Sequence, residues 1–90
     1  MKITFDPAKR QWTLEHRGLD FADAGKVFGG RVFVQKDDRY KYPEARFQTY
    51  GYLDDRLIMF AWTKTPEGIR VISMRKCNDR EQKTYSTRLG

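Results

Sequence analysis

Apolar residues follow a helical period over most of residues 6–30 and a two-residue alternation over most of residues 31–75. Residues 2–5 alternate, and Asp6 and Pro7 then supply an N-cap residue and a first-turn proline. The pattern predicts a short strand and then a helix that ends near Arg17, because Gly18 suits a helix C-terminus. The helix is supported by side chains at four-residue spacing, namely Ala8, Trp12 and His16.

A second helix is predicted to begin after Asp20, which can cap it, and to end at Gly29-Gly30. Its buried face is expected to consist of Phe21, Ala24, Val27 and Phe28. The two tryptophans, Trp12 and Trp62, are both assigned to the hydrophobic core.

Strand-like segments and one further helix fill the rest of the chain. The strands are expected over residues 31–35, 44–53, 56–64 and 69–75, and the helix runs from Asn78 to about Thr87. Segment 56–64 is apolar on both faces, as is typical of a central strand. The charged stretch 36–43 is expected to form a mobile exposed loop, since it has little to bury. Alternation in 44–53 predicts a wet, aromatic face made of Arg46, Gln48, Tyr50 and Tyr52.

This element order predicts an α+β fold, in which helices pack on an antiparallel meander sheet. Ninety residues suffice for one hydrophobic core, so residues 1–90 are expected to form a single domain. In the last strand, alternation places Arg75 with Ile69 and Val71, whereas Arg70 shares the opposite side with Lys76. The two sets point in opposite directions unless a bulge or the strand end reorients them.

Composition excludes several classes of function. The chain has one cysteine and one histidine, so neither an internal disulfide nor a Cys/His zinc site can be assembled, and no cofactor is expected. No apolar run approaches the ~18 residues of a membrane helix, and no leader pattern precedes the first strand, so we expect a cytoplasmic protein.

Charge gives a positive indication of the partner. Eighteen Lys and Arg residues against twelve Asp and Glu residues give a net charge of +6, which favours a polyanionic or acidic partner. Arg75 and Lys76 stand where a strand ends and a helix begins. Their side chains and the helix N-terminus could therefore converge on one phosphate.

Four segments carry a family resemblance: residues 3–9 (ITFDPAK), 18–24 (GLDFADA), 44–47 (EARF) and 70–76 (RVISMRK). With these segments the chain resembles the BrnT family of bacterial toxins, small ribonucleases of the RelE/ParE-like kind. The resemblance implies a RelE/ParE-like fold and an RNA-cleaving toxin that inhibits translation. It also implies a BrnA-like antitoxin with a DNA-binding, ribbon-helix-helix-like end, and a higher-order toxin–antitoxin complex.

One departure from the family concerns the end of the first helix. A lysine–histidine pair usually precedes the glycine there, whereas this chain has His16-Arg17-Gly18. The histidine is therefore displaced by one position, which is about 100° of helix rotation, and Arg17 stands in its place.

A metal-free ribonuclease needs a base, an acid and cations for the charge that builds on phosphorus. The candidate catalytic residues are Arg46, Arg75 and Lys76 as cations, with His16 or Glu44 as the base. Most of them have a structural alternative: Arg46 and Arg75 could form ion pairs with Glu44 or Glu81, and His16 could be a hydrogen-bonded histidine of an amphipathic helix.

RNA binding is predicted for a further set of cationic and aromatic residues, which consists of Arg39, Lys41, Tyr50, Tyr52, Arg70 and Tyr85. Two rival functions remain open at this stage. One is a non-catalytic basic binding module. The other is a RelE/ParE-like toxin that acts on a protein target such as gyrase, since fold does not fix function.

Overall fold

A computed structural model describes residues 1–90. Its elements in chain order are β1 (Lys2–Thr4), α1 (Pro7–Arg17), a 3₁₀ turn (Phe21–Asp23), α2 (Ala24–Phe28), β2 (Val32–Lys36), β3 (Arg46–Leu53), β4 (Arg56–Lys64), β5 (Gly68–Lys76) and α3 (Asp79–Leu89). The five strands form one mixed sheet in the order β1-β5-β4-β3-β2. β1 lies parallel to β5 and every other neighbouring pair is antiparallel, so the predicted α+β class and meander are confirmed.

Helix ends follow the local signals in the sequence. Asp6 accepts a hydrogen bond from the Ala8 N–H, and Gly18 ends α1 in the left-handed conformation at φ 67°. Asn78 and Glu81 form a reciprocal capping box at the start of α3. None of the three α-helices has the length and hydrophobicity that a membrane-spanning helix requires.

The second predicted helix is shorter than expected. Asp20 caps a 3₁₀ turn by accepting from the Ala22 N–H, and only α2 continues as α-helix. The predicted apolar face is correct in the main, because Phe21, Ala24 and Val27 are buried.

Two hydrophobic clusters lie on opposite faces of the sheet. The larger one joins the 3₁₀ turn and α2 to one face through Phe21, Val27, Phe60, Val71 and Met74, among others. The smaller one lies under α3 and consists of Tyr50, Leu57, Met59, Cys77 and Leu89. β4 contributes to both clusters, which confirms the prediction of a central strand covered on two sides.

The assignment of Trp12 to the core is wrong. Trp12 is 49% exposed, whereas Trp62 is buried and donates its indole N–H to Thr49 Oγ1 at 2.8 Å. The inward side of α1 is instead a stripe of mixed polarity at helical spacing, formed by Arg10, Thr13, Leu14 and Arg17. Among its polar members, Arg10 donates two 2.8 Å hydrogen bonds to Asp20.

The loop between β2 and β3 contains a buried carboxylate with several hydrogen-bond partners. Asp37 is 7% exposed and accepts hydrogen bonds from the Arg39 guanidinium and the Tyr42 hydroxyl. These bonds, chiefly those from Arg39, lower the pKa of Asp37 to about 2. The expectation that the loop is exposed is therefore wrong at Asp37.

A β-bulge changes the alternation of β5. Ser73 pairs with Ala61 and Val71 pairs with Trp62, which leaves Ile72 as the extra residue. Beyond this point the faces of β5 exchange, so Met74 shares the core side with Val71 while Arg75 turns to the α3 side. Simple alternation, which puts Arg75 on the side of Ile69 and Val71, is therefore wrong for Arg75, and the bulge is the exception that reorients it.

Candidate active site

A cleft lies between the last turn of α1 and the end of β5. It has a volume of about 380 Å³ and is lined by His16, Arg17, Arg75 and Lys76, with no apolar residue in its walls. The two pairs come from positions about sixty residues apart in the chain. Three of the predicted catalytic residues therefore share one site with Arg17.

Arg17 connects α1 to the open edge of β5. β1 pairs with β5 only over residues 68–70, so the later part of β5 has no neighbouring strand on that side. Arg17 Nη1 donates to the Met74 carbonyl oxygen at 2.8 Å. This hydrogen bond satisfies one backbone group of the edge and holds the guanidinium beside the cleft.

His16 is exposed and has a defined orientation. Its ring stacks on Trp12 with centroids 4.4 Å apart, and Nδ1 lies 2.9 Å from the Trp12 carbonyl oxygen. Because a carbonyl oxygen can only accept, Nδ1 must carry the proton of this bond. The neutral ring then has Nε2 free as a proton acceptor.

Arg75 is an ion-paired cation. Its guanidinium donates to both carboxylate oxygens of Glu81, at 2.7 and 2.8 Å, and Glu81 also accepts from the Asn78 N–H. These hydrogen bonds raise the pKa of Arg75 and lower that of Glu81. The ion pair with Glu81 that sequence reasoning kept as the structural alternative is thus present.

This pairing corrects one electrostatic expectation. A phosphate was expected where Arg75 meets the N-terminus of α3, but the Glu81 carboxylate occupies that position. Arg17 and Lys76 have no carboxylate oxygen within 4.0 Å, in contrast to Arg75. They are therefore the cations of the cleft that remain open to an anion.

The other predicted catalytic residues lie at the far end of the sheet. Arg46 on β3 pairs with Thr63 on β4, and Thr63 pairs with Arg70 on β5. A second row of paired residues consists of Tyr50 on β3, Met59 on β4 and Arg75 on β5. The two rows are four residues apart on β3, which corresponds to about 13 Å. The expectation of one site that contains Arg46, Arg75 and Lys76 is therefore wrong, because strand register separates them.

Arg46 also has the structural partner that sequence reasoning proposed. Its Nε lies 3.5 Å from Glu44 Oε1, and the guanidinium is 4.3 Å from the centroid of the Tyr42 ring. Nε is buried and makes no hydrogen bond within normal limits. Glu44 is consequently remote from the cleft and has no geometry there for the role of base.

The predicted aromatic contacts with RNA divide into accessible and covered rings. Tyr50 is 4% exposed and stacks on Tyr85 with centroids 3.8 Å apart, and its burial raises the pKa of its hydroxyl. Because α3 covers this part of the sheet, the expectation of a wet aromatic face is wrong at Tyr50. Tyr85, which lies on α3, is half-buried. Tyr52 remains 45% exposed.

The predicted RNA-binding cations are all at the surface. Arg39 and Lys41 lie in the loop before β3, and Arg70 lies on β5 in the row of Arg46. Arg39 is bound to Asp37, whereas Lys41 and Arg70 have no carboxylate partner within 4.0 Å. None of the three lines the cleft.

The exposed position of Trp12 was not predicted, and Arg17 was a candidate only through the family resemblance. The stripe at Arg10, Thr13, Leu14 and Arg17 has helical spacing and was the available signal. It was obscured because three of its four members are polar. No group of three His, Cys, Asp or Glu side chains lies close enough together to hold a metal ion.

Comparison with known proteins assigns the chain to a family. A family model described as "Ribonuclease toxin, BrnT, of type II toxin-antitoxin system" matches residues 5–81, a range that contains all four residues of the cleft. None of the curated proteins matches the chain significantly. Because the family model covers most of the ninety residues, this chain belongs to the BrnT family of ribonuclease toxins of type II toxin–antitoxin systems.

Proposed function

We propose that this chain is a single-domain, RelE/ParE-like endoribonuclease that cleaves RNA in the His16 cleft without a metal ion and thereby inhibits translation. The proposal rests mainly on the convergence of His16, Arg17 and Lys76 in one open cleft of a chain from a ribonuclease toxin family. Its natural inhibitor would be a BrnA-like antitoxin with a ribbon-helix-helix-like DNA-binding end, in a higher-order complex.

The reaction follows from the groups in the cleft. His16 Nε2 accepts the proton of the ribose 2′-hydroxyl, whose oxygen then attacks the adjacent phosphorus. Arg17 and Lys76 stabilise the negative charge that builds on the phosphate oxygens. The 5′-oxygen leaves with a proton donated by the Lys76 ammonium, which yields a 2′,3′-cyclic phosphate and a 5′-hydroxyl end.

Arg75 and the distant cations have supporting roles in this proposal. Arg75 is held by Glu81 at the rim of the cleft and adds positive potential there. Arg46 and Arg70, with Arg39, Lys41 and Tyr52, bind parts of the RNA further from the cleaved bond. Glu44, Tyr50 and Tyr85 take no part in the chemistry.

The direct test is cleavage of RNA by the purified chain in EDTA. We expect the parent to cleave, His16→Ala to lose about 10²–10⁴-fold in rate, and Lys76→Ala to lose about 10²–10³-fold. Lys83→Ala is the matched control, since Lys83 is an exposed lysine on α3 outside the cleft, and it should cleave like the parent. Activity that vanishes on chelation and returns with a divalent ion would refute the metal-free mechanism.

Induction of the protein in cells distinguishes inhibition of translation from the two rival functions. Induction of the parent should stop incorporation of labelled amino acids before DNA supercoiling changes, and His16→Ala should not. Arrest by a folded His16→Ala variant, or an early change in supercoiling, would instead support a binding module or a gyrase-directed toxin.

A further inference from the structure

A second cavity adjoins the cleft along α1. It has a volume of about 310 Å³, and its walls include Trp12, Ile72, Ser73, Lys9 and Arg17. Arg17 lines both spaces, so the cavity and the cleft are neighbours that meet at this residue. Trp12 precedes His16 by four residues, which is about 6 Å along the helix axis.

The walls of this cavity combine features that suit a flat heteroaromatic ring. Trp12 and Ile72 provide apolar surface over the buried ring of Phe21, and the Ser73 hydroxyl can donate or accept a hydrogen bond. Lys9 and Arg17 supply positive charge at its rim. The volume lies at the lower limit of the roughly 300–1,000 Å³ of small-molecule sites, which suits one ring system.

Two irregularities of the fold create the cavity. On the side of β1, β5 has no neighbouring strand beyond Arg70, and its bulge at Ile72 places this residue and Ser73 against α1. α1 therefore lies beside an open strand edge, with Trp12 half-exposed above it. Trp12 stacks on His16 and lies 5.1 Å from the Arg17 guanidinium, yet it remains 49% exposed beside this concave, cation-flanked site.

We propose that this cavity binds the base of a nucleotide adjacent to the cleaved phosphate, with Trp12 as its main apolar contact. The inference rests on the proposed ribonuclease function and adds a residue that sets sequence preference. The neighbouring cations hold the phosphate groups on either side, while the cavity accepts one base that has left the stack.

The test uses a DNA oligonucleotide with a single ribonucleotide, so that only one linkage carries a 2′-hydroxyl. The base on each side of that linkage is removed in turn to give abasic substrates. For one of the two positions, loss of the base should reduce kcat/KM of the parent by about tenfold or more. Trp12→Ala should reduce cleavage of the intact substrate by a similar factor and leave cleavage of that abasic substrate unchanged.

Matched variants separate base binding from indirect effects. Trp12→Phe should recover most of the activity because it retains an aromatic ring. Val34→Ala removes an apolar side chain of similar exposure from β2, at the opposite edge of the sheet. It should leave cleavage of both the intact and the abasic substrate unchanged. If Trp12→Ala slows intact and abasic substrates equally, Trp12 only positions His16 and the proposal is wrong.

A binding measurement distinguishes failure of this proposal from failure of the ribonuclease assignment. Anisotropy of a labelled all-DNA oligonucleotide reports base binding without cleavage. Base-dependent binding by a parent that cleaves no RNA would uphold the cavity and refute the nuclease. Weaker antitoxin binding by Trp12→Ala, with unchanged cleavage and oligonucleotide binding, would make the cavity an antitoxin contact and overturn the proposal.

Discussion

The ion pair with Glu81 gives Arg75 a structural role. Arg75 is a candidate catalytic cation at the end of a strand, and its two hydrogen bonds to Glu81 also support the capping box of α3. The Glu81 side chain is only 16% exposed, so removal of Arg75 leaves a poorly solvated carboxylate without its main partner.

Arg75→Ala is therefore expected to lower stability by about 1–3 kcal/mol, which corresponds to a decrease in Tm of several degrees for a domain of this size. Thermal melts followed by circular dichroism give the value. Glu81→Ala should cost a similar amount, and the double variant should cost less than the sum of the two. Additive losses would show that the pair does not couple.

The same ion pair predicts a dependence on pH. Its hydrogen bonds lower the pKa of Glu81 below the ordinary value of 4.5, so the folded state binds this proton less readily than the unfolded state does. The stabilisation is present above pH 4.5 and is lost as the pH falls through the lowered pKa. The Tm difference between parent and Glu81→Gln should therefore shrink from pH 7 to pH 3, and a constant difference would contradict this assignment.

Among the elements, α3 determines which part of the sheet is accessible. It covers the end of the face that carries Tyr50 and Met59, and leaves the row of Arg46, Thr63 and Arg70 outside its cluster. Tyr85 holds the helix to the sheet by stacking on Tyr50. It also packs against Phe33, with the two ring centroids 5.4 Å apart.

Tyr85→Ala should destabilise the protein by about 1–3 kcal/mol, because it removes an aromatic stack and exposes Tyr50. Tyr85→Phe keeps the ring and should cost less than about 1 kcal/mol. Urea unfolding of both variants measures the difference. Equal stabilities for alanine and phenylalanine would mean that the stack contributes nothing to the attachment of α3.

For the whole molecule, the net charge of +6 attracts an acidic partner before any direct contact forms. A toxin of a type II system has an antitoxin partner, and we propose that this antitoxin covers the cationic cleft with acidic and apolar residues, reaching Arg46 and the loop at Arg39 to Lys41. Opposite charges accelerate encounter over distances comparable with the Debye length of about 10 Å at 0.1 M salt.

Raising the salt concentration from about 0.05 to 0.5 M should accordingly slow association of toxin and antitoxin much more than it changes dissociation. Stopped-flow mixing measures both rates. An Arg75→Ala/Lys76→Ala double variant should associate more slowly than the parent at low salt, whereas Lys83→Ala with Arg88→Ala controls for net charge alone. Parental association by the first variant would place the interface elsewhere.

Much of the secondary structure was predictable because its signals act over a few residues. Asp6 and Pro7 begin α1, Gly18 ends it, and alternation marks β3. The family was also recognisable from short segments, and the family match confirms it. The sequence likewise identified His16, Arg75 and Lys76 as candidates by residue type.

Which of these residues meet was decided only by the tertiary structure. Strand register carried Arg46 and Glu44 away from the cleft, and the bulge at Ile72 turned Arg75 towards Glu81. Arg17 donates a hydrogen bond to the open edge of β5. Trp12 lies at the surface because the inward side of α1 is the stripe of mixed polarity. Caps and alternation depend on neighbours in the chain, whereas register, bulges and strand edges depend on contacts between residues far apart in it. The sequence by itself therefore determined the elements and the candidate groups, and the packing of distant segments determined the site.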